Sequence, residues 1–213
     1  MIVKQFRTGG DRNFGYLAAD ENSRSAAVID PSYSPEIIVQ FAGDNKLQIR
    51  YIFCTHDHYD HTNGNPKIRS LTGIYPLLFQ DTDRQSGIKV LDNSVFPLGD
   101  LKVRIIHTPG HTEDSICILI GDVLFTGDTL FVGKVGGTDF GRQAKREYDS
   151  LHKKLMILPQ DTRIFPGHDY GIKPESTIQN ERETNPFLLR SDLDSFIELK
   201  MNWMEYKRIH GID

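Results

Sequence analysis

Thr55-His56-Asp57-His58-Tyr59-Asp60-His61 follows an apolar run, and the rest of the chain is read outward from it. Ile49–Thr55 has the composition of a buried strand, so the cluster sits at a strand end. Three His and two Asp within six positions is a dense packing for a chain with 8 His among 213 residues. Imidazole and carboxylate suit zinc or iron. A loop lets neighbouring side chains converge on one cation or diverge onto two. His56 and His58, two apart, are placed to face one metal, and Asp60 and His61 a second beside it.

One segment does not comfortably fill a metal's coordination shell, so further ligands are expected elsewhere. His111 lies in Thr108-Pro109-Gly110-His111-Thr112, Asp128 in Phe125-Thr126-Gly127-Asp128-Thr129, and His168 in Phe165-Pro166-Gly167-His168-Asp169-Tyr170. In each, an apolar run ends, a Gly frees the backbone, and a ligand-type side chain follows. Each alone reads as a turn. Together with the cluster they describe one metal site at one edge of a sheet. The other histidines are read as ordinary: His107 ends a strand, while His152, beside Lys153 and Lys154, and His210 are solvated. Asp57 and Tyr59 are read as orienting the loop or facing solvent.

Composition sets the limits around this site. The length suits one domain or one domain with a small appendage, at roughly 100–200 residues per domain. Two Cys cannot make a disulfide framework or a four-thiolate zinc site. Cys54 and Cys117 lie in apolar runs and are read as buried, reduced thiols, which fits a cytoplasmic protein. A net charge of −4 offers no general footprint for nucleic acid. A mean hydropathy of −0.41 describes a soluble globule. No stretch reads as a membrane span, and Met1–Arg7 does not read as a secretory signal. Gly133-Lys134-Val135-Gly136-Gly137 lacks the ending of a phosphate-binding loop.

Strands are expected at Ile2–Arg7, Asn13–Ala19, Ser25–Ile29, Ile49–Thr55, Ile74–Phe79, Leu101–Thr108 and Arg163–Pro166, with a hairpin from Ile116–Ile120 and Val123–Thr126. A helix starts at Ser34-Pro35, a second spans Asn65–Leu71, and a third carries Tyr148, Leu151, Leu155 and Leu158 before Pro159. From Glu175 on the pattern is helical, with Phe196, Leu199, Trp203 and Tyr206 along one face. The division is a main domain over 1–190 and a C-terminal helix over 191–213. That helix either packs on the domain or forms a homodimer interface. Pattern alone supports a mixed α and β fold.

The full set, His56, His58, Asp60, His61, His111, Asp128 and His168 in that order, resembles the metallo-β-lactamase-fold superfamily. The resemblance implies an α/β (α+β) fold, a four-layer αβ/βα sandwich with metals at one edge. It implies that His56, His58 and His111 hold one metal, that Asp60, His61 and His168 hold the other, and that Asp128 bridges them. Gly127–Phe131 and Gly167–Tyr170 look like the glyoxalase II branch, whose members hydrolyse hydroxyacyl-glutathione thioesters. Gly136–Phe140 also looks like the persulfide dioxygenases, which use one iron, here held by His56, His111 and Asp128.

The leading expectation is a metal-dependent hydrolase with two divalent ions, Zn or Fe, attacking a thioester through a metal-bound hydroxide. Asp60 and Asp128 then serve the catalytic centre as ligands. The partner is a small thiol-derived molecule, and no nucleic acid or membrane is expected. Tyr170 resembles the glyoxalase II tyrosine that touches the glutathione backbone. Both branches carry a basic residue where this chain has Gly137; Lys134, Arg142, Lys145 and Arg146 are the candidates to replace that charge. The alternative is a mononuclear-iron persulfide dioxygenase. A nuclease shares the histidine cluster, but the negative charge balance counts against it.

Overall fold

In the computed structural model, which describes residues 1–212, the apolar runs build two sheets facing one another. The first sheet joins β1 (Ile2–Gly9), β2 (Asn13–Ala19), β3 (Ser25–Ile29) and β4 (Gln48–Phe53) in that order. The second takes β5 (Val95–Leu98), β6 (Leu101–His107), β7 (Ile116–Ile120), β8 (Val123–Gly127), β11 (Arg163–Pro166) and β12 (Ser176–Thr177), in the order β12-β11-β8-β7-β6-β5. β9 (Leu130–Phe131) and β10 (Lys134–Val135) form a small ribbon between β8 and β11 in the chain. The helices are α1 (Pro35–Asp44), α2 (Tyr59–Thr62), α3 (Asn65–Thr72), α4 (Arg142–Ser150), α5 (Ile178–Thr184), α6 (Leu193–Met201) and α7 (Trp203–His210).

Strand alternation creates the layers, because successive side chains point to opposite faces. Phe14, Tyr16 and Ala18 of β2 join Tyr51 and Phe53 of β4 in the core between the sheets, against Phe96, Val103, Ile118 and Phe125. The opposite faces of β2, β3 and β4, with Leu17, Val28 and Ile52, pack under Ile38 and Ala42 of α1 and Ile68 of α3. On the far side, Ile106, Cys117, Leu124 and Ile164 pack against Leu151, Leu155, Phe187 and Phe196. Helix, sheet, sheet and helix make four layers, which is the architecture the sequence resemblance implies. Among the described residues, no helix is long and apolar enough to cross a membrane.

Several elements differ from the pattern reading. Ile74–Phe79 is not a ladder strand; it gives one isolated bridge, Phe53 to Leu77. Pro76 has no N–H to donate, and Leu78 turns away through Asp81. The third helix ends its α-geometry at Ser150, and Leu151–Leu155 widens into a π-helical turn. Leu151 and Leu155 are both fully buried there, and Leu158 lies beyond the helical residues. His152 is half-buried rather than fully solvated: its ring lies 4.2 Å from Tyr148, and burial lowers its pKa. The region after Glu175 is not one helix. Ser176 and Thr177 pair with β11, and Pro186 biases Asn185 out of the helical region, so α5 stops before it. α6 and α7 meet at Asn202. Phe196 and Leu199 are buried in the chain's own core, with Trp203 and Tyr206 packed against it. Cys54 and Cys117 are buried free thiols, as expected, and burial pushes the Cys117 thiol up to about 12.

Phe53 is fully buried between the sheets, with the rings of Phe96 and Tyr51 centred 5.2 and 5.8 Å away. Phe53→Ala removes that packing and is expected to cost about 3–5 kcal/mol. Urea unfolding measures it, and a loss below about 1 kcal/mol would contradict the assignment of this core.

Candidate metal centre

Strand direction brings the four segments to one edge. β3 and β4 run parallel, as do β8 and β11, and β6 points the same way as β8 across the antiparallel β7. The ends of β4, β6, β8 and β11 therefore lead into His56, His111, Asp128 and His168 at the same rim. Backbone bonds stitch the two sheets together there: Ile116 N–H donates to Thr55 O at 2.8 Å, and Phe14 N–H donates to Gly167 O at 2.8 Å.

All seven residues singled out in the sequence meet at this rim. His58 Nδ1 lies 3.0 Å from His56 Nε2 and 3.1 Å from His111 Nε2. His168 Nε2 lies 3.3 Å from both His61 Nε2 and Asp60 Oδ2. Asp128 sits between the groups, with Oδ1 3.3 Å from His61 Nε2 and Oδ2 3.4 Å from His168 Nε2 and 3.7 Å from His111 Nε2. Three donor sets have all their ligand atoms within 4.8 Å of one another: His56/His58/His111, His56/His61/Asp128 and Asp60/His61/His168.

These donors fit a metal. Ligands at ~2.0–2.1 Å from a tetrahedral zinc lie about 3.4 Å apart, close to the spacings here. Nitrogens converging three at a time cannot satisfy one another by hydrogen bonds, because a shared proton serves one pair. Asp128 Oδ1 is buried without a hydrogen-bond partner among the described residues. A Cβ on Gly167 would collide with that oxygen, so glycine there keeps the space open.

In His56, His61, His111 and His168 the outward ring nitrogen faces an acceptor, which leaves the other nitrogen free to face the centre. His111 Nδ1 faces Gly137 O at 2.8 Å, and His168 Nδ1 faces Asp11 O at 2.8 Å. His61 Nδ1 lies 3.0 Å from Asp30 Oδ2, and His56 Nδ1 lies 3.1 Å from Thr55 Oγ1. Asp30 also accepts from Thr55 N–H at 2.7 Å and from Thr55 Oγ1 at 2.8 Å. Asn13 Nδ2 donates to Asp60 Oδ2 at 3.0 Å. Asp30 and Asn13 are functional neighbours that the pattern reading missed. Asp30 read as the turn Asp30-Pro31, yet it follows a strand as Asp128 does. It also has φ +47°, a left-handed conformation that Asp tolerates better than most residues.

Electrostatics separates the donors, lowering His56 and His111 and raising His61 and His168 beside the carboxylates. Burial and the neighbouring imidazoles hold His56 well below the usual histidine range, so it is neutral and able to ligate. Burial also lowers His111. Burial opposes charge on Asp128, but His61 and His168 overcome it and hold the carboxyl well below its usual range. Burial likewise opposes charge on His61, and Asp30 and Asp128 reverse that and raise it.

Residues 8–87 and 78–168 match the family model described as the metallo-beta-lactamase superfamily. The chain belongs to this superfamily. It is 34% identical to the probable hydroxyacylglutathione hydrolase glo2 of Schizosaccharomyces pombe, over 80% of this chain and 70% of that protein. It is 33% identical to the human mitochondrial persulfide dioxygenase ETHE1, over 95% of this chain and 81% of that one. The crystal structure of ETHE1 from Myxococcus xanthus superposes with a TM-score of 0.85 at 33% identity, covering 95% of this chain and 91% of that one. In this superfamily member, then, the two branches are matched at nearly equal identity.

The remaining sequence candidates divide. Tyr170 stacks on His168, with centroids 4.6 Å apart, and its hydroxyl donates to Asp11 Oδ2 at 2.6 Å. Of the basic residues, Lys134 Nζ lies 3.9 Å from the Tyr170 ring centroid, while Arg146 pairs with Glu113 and Arg142 approaches the same carboxylate. Lys145 is exposed. Asp57 and Tyr59 are exposed as expected, and the Asp57 N–H donates to Asp114 at 2.9 Å. His107 stacks on Phe79 at 3.9 Å, away from the donor sets.

Asp30→Asn keeps the side-chain shape but removes the carboxylate that orients His61. Zinc affinity is expected to fall about 10–100-fold, with the circular dichroism spectrum unchanged. Chelator competition measures the affinity, and wild-type binding in this variant would refute the role given to Asp30.

Proposed function

We propose that this protein is a dinuclear metallohydrolase that cleaves the thioester of an anionic, thiol-derived substrate such as hydroxyacyl-glutathione. The observation that carries this reading is the second donor set, Asp60/His61/His168, complete beside His56/His58/His111 with Asp128 between them. A single-metal site needs only one such set. His56, His58 and His111 would hold one ion, Asp60, His61 and His168 the other, and Asp128 would face both.

When bound, zinc or iron would lower the pKa of water toward about 7 and polarise the substrate carbonyl. The protein's own residues do the rest. Asn13 holds Asp60 by its amide, and Asp30 holds His61, so the donors are set before substrate arrives. The departing thiolate is a good leaving group, so no strong protein acid is needed at that position. Lys134 supports an anionic substrate. It is half-buried beside Tyr170, no carboxylate pairs with it among the described residues, and burial with Lys207 and Arg12 lowers its pKa. Arg12 lies over the same ring at 4.8 Å. These two cations flank Tyr170 next to His168 and supply the charge that Gly137 lacks. Free buried thiols suit a reducing, cytoplasmic setting.

The second reading is a mononuclear-iron persulfide dioxygenase using His56, His111 and Asp128. The near-complete superposition on the Myxococcus xanthus ETHE1 structure favours it. Elemental analysis with two assays separates the readings. Two metals per chain and oxygen-independent cleavage of S-lactoyl-glutathione support the hydrolase. One iron per chain and oxygen uptake with glutathione persulfide support the dioxygenase.

Two variants test the hydrolase reading further. Asp128→Ala is expected to abolish metal content and turnover together, and full activity would sink the assignment. Lys134→Glu is expected to raise KM for S-lactoyl-glutathione about tenfold, equivalent to about 1.4 kcal/mol, with kcat little changed. An unchanged KM would remove Lys134 from the substrate site.

A further inference from the structure

We propose that Lys200, paired with Glu147, is a positioning residue for the metal centre: it reaches from α6 into the protein interior and fixes the 136–137 segment, whose carbonyl orients His111. This rests on the reading of His111 as a metal ligand. Glu147 is fully buried on α4, and the Lys200 side chain is 5% exposed. They form an ion pair, and Lys200 Nζ also donates to Gly136 O at 2.7 Å. The next residue, Gly137, supplies the carbonyl that faces His111 Nδ1 at 2.8 Å. Lys200 is therefore one peptide unit from the acceptor that orients the ligand ring.

The other side of His111 leans on α4, the helix that carries Glu147. A Cβ on Gly110 would collide with the Cβ of Glu147 and sit 2.5 Å from its Cα. The loop backbone thus lies directly on α4 at Glu147, and Ser150 Oγ, one turn further on, donates to Pro109 O at 2.8 Å. The 109–111 loop rests on the backbone of α4 at Glu147, and the 136–137 segment is tied to the lysine that pairs with that glutamate. Removing the lysine would free the Gly137 carbonyl side of the ring while the 109–111 loop stays seated on α4.

A buried ion pair is weak evidence of a stabilising role. Burying two charges costs desolvation, and well-packed apolar residues of similar volume often serve as well or better. Glu147 Oε1 has no hydrogen-bond partner among the described residues, and burial pushes the Glu147 carboxyl up to about 7 despite Lys200. Phe187 and Phe196 surround the ammonium, with ring centroids 5.9 and 5.3 Å away, so an apolar replacement would find apolar neighbours. What an apolar pair cannot supply is the bond to Gly136 O.

The test separates positioning from folding. Lys200→Met leaves Glu147 buried and unpaired and is expected to lower Tm. The double variant Glu147→Leu/Lys200→Met removes both charges and is expected to regain wild-type Tm. In that folded double variant, zinc affinity measured by chelator competition is expected to be about tenfold weaker at one site. In the metal-free protein, the imidazole ¹⁵N spectrum is expected to lose the single Nδ1–H tautomer of His111. Wild-type zinc affinity and an unchanged His111 signal in the double variant would overturn the proposal. A wild-type chain that binds no zinc would defeat the metal-centre reading, while the His111 signal would still decide whether Lys200 positions the ring.

Discussion

The carboxylate of Asp30 is the interaction on which the site depends. It accepts two hydrogen bonds from Thr55 and faces His61, so one buried group ties the end of β3 to the end of β4 and sets the histidine beyond. A buried carboxylate is costly unless its lone pairs are used, and here they are. Thr55 then passes the constraint on. Its hydroxyl donates to Asp30 and faces His56 Nδ1, so the rings of His56 and His61 are both oriented from a single anchor. The left-handed backbone of Asp30 is part of that arrangement.

The second constraint is close approach. The donors come from several segments, and a centre this small tolerates no side chain between them. Glycine removes the obstacle at the decisive places. Gly127, with φ +48°, lies where a Cβ would sit 2.5 Å from Thr55 Oγ1, and Gly167 backs onto Asp128. The two sheets can then meet at their rims while their interior faces remain filled by Phe53, Phe96 and Phe125. The rigid sandwich holds the positions, and the short loops after the strands carry the chemistry.

The candidate metal donors were legible in the sequence because they share a local signature: an apolar strand, a glycine in three of four cases, and a ligand-type residue. Most strands of both sheets were legible for the same reason, since alternation is local, but the short β5 and β12 were not. Ile74–Phe79 was misread as a strand, because its apolar content hides a proline that removes a ladder donor. The helix through Leu151 was read with a regular period that the π turn breaks. Asp30 and Asn13 carried only the signal of a turn or a strand start. Their importance lies in what they touch across the fold, His61 from one and Asp60 from the other. Glu147 and Lys200 were invisible in the same way: 53 positions apart, each looks like an ordinary charge on an exposed helix face.

The sequence by itself determined the donor inventory, because this follows from residue types in local order, and the four-layer plan came with the superfamily resemblance that those residues carry. The tertiary structure decided how the donors group, which ring nitrogen faces inward, and which charges are buried behind them. Those properties depend on distances between segments far apart in the chain. Hydrogen-bond acceptors such as Gly137 O and Asp11 O belong to the backbone, so no residue type announces them. Only folding brings each of them to the ring it orients.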